Sequence, residues 1–516
     1  MMRAFFGRQS QRAVLRGGLG AILGAALTGL AGCELAPNYA PPEIAVPAQF
    51  KTAPPKGAAG RLGDNWWRAF HSAELDRLEA RIEEDNPGFA AALARYDRAK
   101  AILDLTASSA YPNLVGQPSL SENKQSATRP LRSNAQPTYY GGNQLFGQVA
   151  WELDLWGRIH DNIAAAQAGA QANDDQLEAT RQALHASLTR TYIALRGADA
   201  QAALLARTIV IYKSALNLTE ERLSGKIAPP IDVERAKVQL ANAQAAAAEI
   251  AQNRAVLEDA LAALVGQTAS AFRIPPSGAQ PAVPRAPRAA PSDLLLRRPD
   301  VAAAERLILV ANERIGAAKA DFFPRFMLLL SGGTQSTSLN LLDLHNSLYS
   351  VGPALNAPIF DGGQRQATLD AARADFKAAA ADYRTTVFAA FQEVEDALAS
   401  IRLLGQEHAA LAVSSQAAQR ALDMSLSLYK DGAASSLDLV TAQSAALDAQ
   451  RAELIVQTRL LQQYVALMLA LGGGWSGQAP PTPPTSTPGI ALLGPQGQDP
   501  NPNSGSPAAN GVEARQ

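Results

Sequence analysis

Two halves of this sequence repeat each other at a nearly fixed spacing, and no other feature restricts the fold as much. Gly157 and Gly363 lie 206 residues apart (363 − 157), as do Asp232 and Asp438, and Gly266 and Gly472. Upstream the spacing is 212 (324 − 112): Tyr111-Pro112 matches Phe323-Pro324, and Asn86-Pro87 matches Arg298-Pro299. The spacing changes only between Pro112 and Gly157, where a loop of variable length fits. A single repeat of this size means a duplicated structural unit, not a solenoid of short repeats.

Each half reads in the same order. A helix comes first, from about Glu74 to Ala110 and from about Asp300 to Phe322. Two strand-like runs follow, then a very long helix, a short break and another long helix. Arg158 to Leu223 contains no proline, nor does Gln364 to Lys430. Either stretch would span about 100 Å as a helix. Charges recur along both, so neither crosses a bilayer. Val440, Leu447, Leu454, Leu461 and Met468 step by seven, as do Ile250, Leu257 and Leu264. That is coiled-coil spacing. Ser224 to Pro230 and Lys430 to Ser436 carry the Gly, Pro and Ser residues that stop and restart helices. Each half therefore holds a helical hairpin whose tip points away from its strands.

The strands alternate with period two. Leu145, Gly147, Val149, Trp151, Leu153 and Leu155 form one set, and Tyr349, Val351, Pro353, Leu355, Ala357 and Ile359 form the other. Their partners begin at Asn113 and Arg325. One face is apolar and the other mostly polar, which suits lipid outside and water inside a barrel. About four strands per chain cannot close a barrel. A membrane sheet of this size must pool strands from several copies. A soluble sheet with covered edges is the alternative, and a closed helical spacer shares the seam.

Composition sets further bounds. Aromatics make up 6%, and mean hydropathy is too low for a multi-span helical membrane protein. The net charge of -1 gives no case for nucleic acid. The five histidines are scattered without metal-ligand spacing. No HExxH, GxSxG or Walker loop appears, so no enzyme activity, metal or cofactor is expected.

The N-terminus explains the single cysteine. Arg3, Arg8, Arg12 and Arg16 precede an apolar run from Leu19 to Ala31, as in a secretory signal. The run ends in Leu30-Ala31-Gly32-Cys33, which resembles the lipobox of bacterial lipoproteins. That resemblance implies a covalent lipid on Cys33. Glu34 follows in place of the Asp that retains many such proteins in the inner membrane. The expected organisation is a signal at 1–32, a lipidated extended tether at 33–65 and the first unit at 66–271. A Pro-rich linker at 272–293, the second unit at 294–477 and a disordered tail at 478–516 complete it. Strands are expected at about 112–155 and 325–360, and hairpins at about 158–266 and 364–472.

Several motifs in order resemble the TolC-like outer-membrane efflux factors, and most of all their NodT-type lipoprotein branch. They are Leu294-Leu295-Leu296-Arg297-Arg298-Pro299-Asp300-Val301 with Glu305, Ile315-Gly316 and Phe323-Pro324, then Pro358 to Gly363, Phe391 to Leu398, and Ala470 to Trp475. The resemblance runs from Cys33 to about Trp475. It implies a mainly α fold with a small β part: a homotrimer whose four strands per protomer build one twelve-stranded barrel. Below it would hang a helical coiled-coil tunnel. The implied function is the passive outer-membrane exit duct of a tripartite efflux system for small molecules. Its partners would be a periplasmic adaptor, an inner-membrane pump of the resistance-nodulation-division class and outer-membrane lipid. A structural spacer, metal efflux and type I protein secretion are the alternatives.

The same resemblance implies a gate at the periplasmic tip. Asp438 stands at a family acid position and Tyr429 at a family tyrosine position, with Asp232 related to Asp438 by the repeat. Thr441 and Ala434 replace polar residues that some members carry. The plainer reading of Asp232 and Asp438 is charge placed favourably at a helix start. Three copies of both around one axis would favour cations in the pore. Replacing Cys33 by Ser is expected to mislocalise the protein in membrane fractionation. Normal outer-membrane recovery of that variant would refute the anchor.

Overall fold

The computed structural model describes residues 35–52, 63–130, 133, 135–285, 291 and 297–475. Cys33, the signal, residues 53–62 of the tether, part of the linker and the tail lie outside the described residues.

The chain begins as an extended segment, residues 35–52, and then forms α1 (Ala73–Glu79), α2 (Ile82–Asp85) and α3 (Pro87–Ala107). The strand region follows: β1 (Asn113–Ser119), β2 (Glu122–Lys124), β3 (Tyr139–Gly141) and β4 (Asn143–Leu153). Two helices complete the first half, α4 (Arg158–Ser224) and α5 (Pro230–Leu264). The second half contains α6 (Pro299–Ala320), β5 (Arg325–Ser336), β6 (Ser347–Asn356), α7 (Gln364–Lys430) and α8 (Ser436–Ala470).

One expectation needs correcting. The helix expected from about Glu74 to Ala110 is three helices. Asn86 takes an extended conformation ahead of Pro87, as residues before proline must. Its Oδ1 then accepts from the Phe89 N–H and caps α3.

The duplication is close in length. α4 and α7 are each 67 residues, and α5 and α8 are each 35. Gly157 and Gly363, both left-handed, turn the chain from strand into long helix. At the far end Lys226 and Gly432 are left-handed at equivalent positions. Ile227 N–H donates to Arg222 O and Ala433 N–H to Leu428 O, both at 2.8 Å. These bonds close each long helix in a Schellman turn.

The returning helices end against the start of α3 and α6. Gly266 and Gly472 are left-handed there, with φ of 68° and 89°. A Cβ on Gly266 would lie 2.1 Å from Asp85 O, and on Gly472 1.9 Å from Arg297 O. Asn86 Nδ2 donates to Leu264 O at 2.7 Å, and Arg298 Nη1 to Ala470 O at 3.1 Å. Different side chains thus tie the same two ends in each half. Arg298 is buried and also binds Asp300 and Glu393. Burial opposes its charge, but those two carboxylates outweigh it and raise the pKa.

The main core gathers both repeats midway along α4 and α7 and at the C-terminal ends of α5 and α8. Phe70, Leu75, Leu78 and Ile82 pack on Leu188, Ile193 and Leu195 of α4. Val394, Leu398 and Ile401 of α7 and Leu461, Val465 and Met468 of α8 complete it. Tip-side seam residues such as Val440 and Leu447 are only half-buried.

The four main strands form an antiparallel sheet in the order β1-β4-β5-β6. Leu114, Val149, Leu330 and Val351 lie opposite one another across all four strands. Trp151, Leu328 and Pro353 form a parallel row, as do Leu153, Phe326 and Leu355. The other face is mixed, with Gln148, Ser331 and Ser350 in one row and Phe146 and Leu348 in another. Leu155, Ile359 and Phe360 fall beyond the strand ends. The β2–β3 arm occupies the stretch where the first half is six residues longer (212 − 206). No described helix is long and apolar enough to cross a membrane.

Gly472→Ala combines a backbone clash with a strained φ. Gly432→Ala meets nothing within 4 Å and carries only the left-handed penalty, about 1–2 kcal/mol. Thermal unfolding should show a clearly larger loss for Gly472→Ala. Equal losses would contradict the close approach.

Candidate functional site

The helical tip holds the residues expected to form a gate. Tyr429, in the last turn of α7, is buried among Leu422, Leu439 and Ala446. Its hydroxyl lies 3.2 Å from Thr219 Oγ1 of α4. The Arg222 guanidinium stacks over the Tyr429 ring at 4.4 Å and donates to Lys430 O at 3.0 Å. Thr219 and Arg222 were not legible as partners of Tyr429 in the sequence, because they lie 210 and 207 positions from it (429 − 219 and 429 − 222). Further from the tip, Tyr212 donates to Gln443 O at 2.9 Å, and Ser444 Oγ to Gln239 Oε1 at 3.2 Å.

Asp438 and Asp232 occupy the third position of α8 and α5. Asp438 forms a capping box with Ser435: the Asp438 N–H donates to Ser435 Oγ, and Ser435 N–H and Oγ–H to Asp438 Oδ2. The Ser435 side chain, then its backbone, hold the Asp438 carboxyl below the usual carboxylate range. The first half has Pro229 at the cap position, which cannot repeat the box. Asp232 instead faces Arg235 at 3.4 Å. Among the described residues no bond joins Asp232, Asp438 and Tyr429 to one another. Thr441 bonds back to Leu437 O within its own helix.

At the opposite end the sheet is open. Among the described residues β1 pairs only with β4, and β6 only with β5. Leu114 and Val351 on these edge strands are 72% and 61% exposed. Trp156 Nε1 donates to Pro324 O at 2.8 Å and its ring stacks on Phe323 at 4.6 Å, joining the two repeats where sheet meets helices. Trp151 Nε1 donates to Ala110 O at 3.0 Å. The extended N-terminal segment is held along the helices. Lys319 Nζ donates to Leu35 O at 3.0 Å and Asn312 Nδ2 to Pro37 O at 2.8 Å. The Lys51 and Thr52 N–H groups donate to the Glu395 carboxylate.

Residues 80–267 and 290–473 each match the profile of the family described as Outer membrane efflux protein. The chain belongs to this family. The two matches coincide with the two halves of the repeat. The chain is 32% identical over 453 residues to Outer membrane protein OprJ of Pseudomonas aeruginosa, covering 86% of this chain and 94% of that one. It is 28% identical over 459 residues to Nodulation protein T of Rhizobium leguminosarum bv. trifolii, covering 87% and 96%. The open-state structure of the Neisseria gonorrhoeae MtrE outer membrane channel superposes with a TM-score of 0.74 at 27% identity, covering 86% and 98%. This outer membrane efflux protein is therefore an outer-membrane efflux channel component, built as a helical tunnel plus strands. Its family is one of transport ducts, which sets the closed spacer aside.

Because Asp438 has a lowered pKa in the fold, its capping contribution is present above the ordinary carboxylate pKa of about 3.9. It is lost as pH falls through the lower folded value. Hydrogen-exchange protection of the Leu439 amide should fall over that acidic window, and Asp438→Asn should abolish the pH dependence. The same titration in the variant would remove the box as its cause.

Proposed function

We propose that three copies of this chain share one twelve-stranded barrel and one tunnel, forming the passive exit duct of a tripartite efflux pump. The observation that carries this reading is the four-stranded sheet with an apolar face and two unpaired edges. Backbone groups left open in hydrocarbon each cost several kcal/mol, on the order of the loss of a folded domain when summed along a strand. Copies related by rotation satisfy them by pairing β1 of one with β6 of the next.

The tunnel tips meet a periplasmic adaptor and, through it, an inner-membrane pump of the resistance-nodulation-division class, which supplies the energy. The cargo is small molecules. A lipid on Cys33 anchors each copy in the outer membrane. In support of this, Leu35 is held by Lys319, six residues before β5 begins (325 − 319), so the chain two residues from Cys33 sits beside the base of the sheet. The Tyr429–Thr219–Arg222 contacts fasten α7 to α4 and keep the tip shut, while Asp232 and Asp438 set its charge.

Planar-bilayer recording tests the reading. Arg222→Ala combined with Tyr429→Phe removes a stacked cation and hydrogen bonds worth about 1 kcal/mol each. Conductance should rise. Replacing Asp232 and Asp438 by Ala should lower cation preference. Unchanged conductance and selectivity would remove all four residues from the gate, and a protein that never conducts would contradict the duct.

A further inference from the structure

A groove of about 550 Å³ lies between α3, α4 and α6 just beneath the sheet. Ile102, Ala166, Ala170 and Val310 give it an apolar floor, and Arg95, Arg98 and Arg314 stand around it. All three arginines are exposed, and none has an ion-pair or hydrogen-bond partner among the described residues. Among the described residues no carboxylate lines the groove, whereas Asn162, Asn173, Thr106 and Ser109 do. Three unpaired guanidinium groups over an apolar surface are suited to an anion that carries an apolar body.

The helix geometry tells which side of the wall this groove is on. The N-terminal segment lies on one face of α6. Asn312 and Lys319 bond it, and Ala36 lies against Gly316. Those positions are spaced four and three residues apart, so they share a face. Val310 and Arg314 are two positions either side of Asn312, about 200° round the helix. A segment leading to a lipid anchor runs on the outside of the tunnel, so Val310 and Arg314 face the inside.

We propose that the upper tunnel binds amphipathic anions in its lumen, through Arg95, Arg98 and Arg314 in each protomer. The placement in the lumen rests on the lipid-anchored duct reading above. It adds a cargo class: organic carboxylates, sulfonates or phosphates with an apolar body pause here before entering the barrel.

Equilibrium binding to the full protein in lipid nanodiscs tests this, with naphthalene-2-sulfonate as the probe and neutral naphthalene-2-sulfonamide as its control. The sulfonate should bind and the sulfonamide should bind much more weakly. Replacing all three arginines by Gln should weaken sulfonate binding by about tenfold or more. Arg314→Gln alone should weaken it measurably, and the triple Lys variant should retain part of it. Equal affinity of sulfonate and sulfonamide, or of wild type and the Gln variants, would overturn the proposal. So would loss of the oligomer in the Gln variants alone, because the arginines would then be bridging protomers. A protein that conducts without binding the sulfonate sinks this inference only; one that binds but never conducts sinks the duct reading instead.

Discussion

Every peptide group placed in hydrocarbon must find its hydrogen-bond partner within protein, and the rest of this molecule is arranged around that requirement. β4 and β5 meet it on both sides, while β1 and β6 meet it on one. The row through Val149 and Leu330 continues to both edges without a change of face. β4 leads into α4 through Gly157 and β6 into α7 through Gly363, so closing the sheet around an axis also brings the long helices round the same axis. A barrel and a tunnel are then one consequence of a single closure.

Rigid joints transmit that arrangement. Trp156, Trp151 and the Arg158–Glu152 pair at 2.9 Å fix the sheet to its helices. Lower down, Asp199 receives Arg196 and Arg254, both at 2.7 Å, and accepts from Ser277 N–H. Arg196 and Arg254 also donate to Pro275 O and Ile274 O, which pins the start of the linker between repeats. Removing one member of such a buried network costs about 3–5 kcal/mol, although its net gain over apolar packing is small. It holds α4, α5 and the start of the linker in one arrangement.

Much of this was legible in the sequence because it depends on local rules. The absence of proline and the Gly residues at 157, 363, 266 and 472 mark the ends of the long helices to within a residue or two. Period-two alternation placed β4 and β6. Asp438 was legible both as a family acid and as a helix-start residue, and the capping box shows the second role in atomic terms. Other features depend on partners far along the chain. The buried Glu79 receives His185 at 2.7 Å and Thr189 at 2.5 Å, under the stacked ring of Trp67. Burial raises the Glu79 pKa despite those bonds. Nothing near His185 in sequence announces this pairing, and the same holds for Arg222 over Tyr429. The breaks within 73–107 were partly legible at Asn86-Pro87, yet the helical character on both sides masked them.

The most direct measurement of the central claim is the native mass of the protein extracted from outer membranes in mild detergent. The duct proposed above predicts three chains, each beginning at Cys33 and carrying lipid. A stable monomer would contradict it, because four strands with two open edges cannot line a channel through lipid.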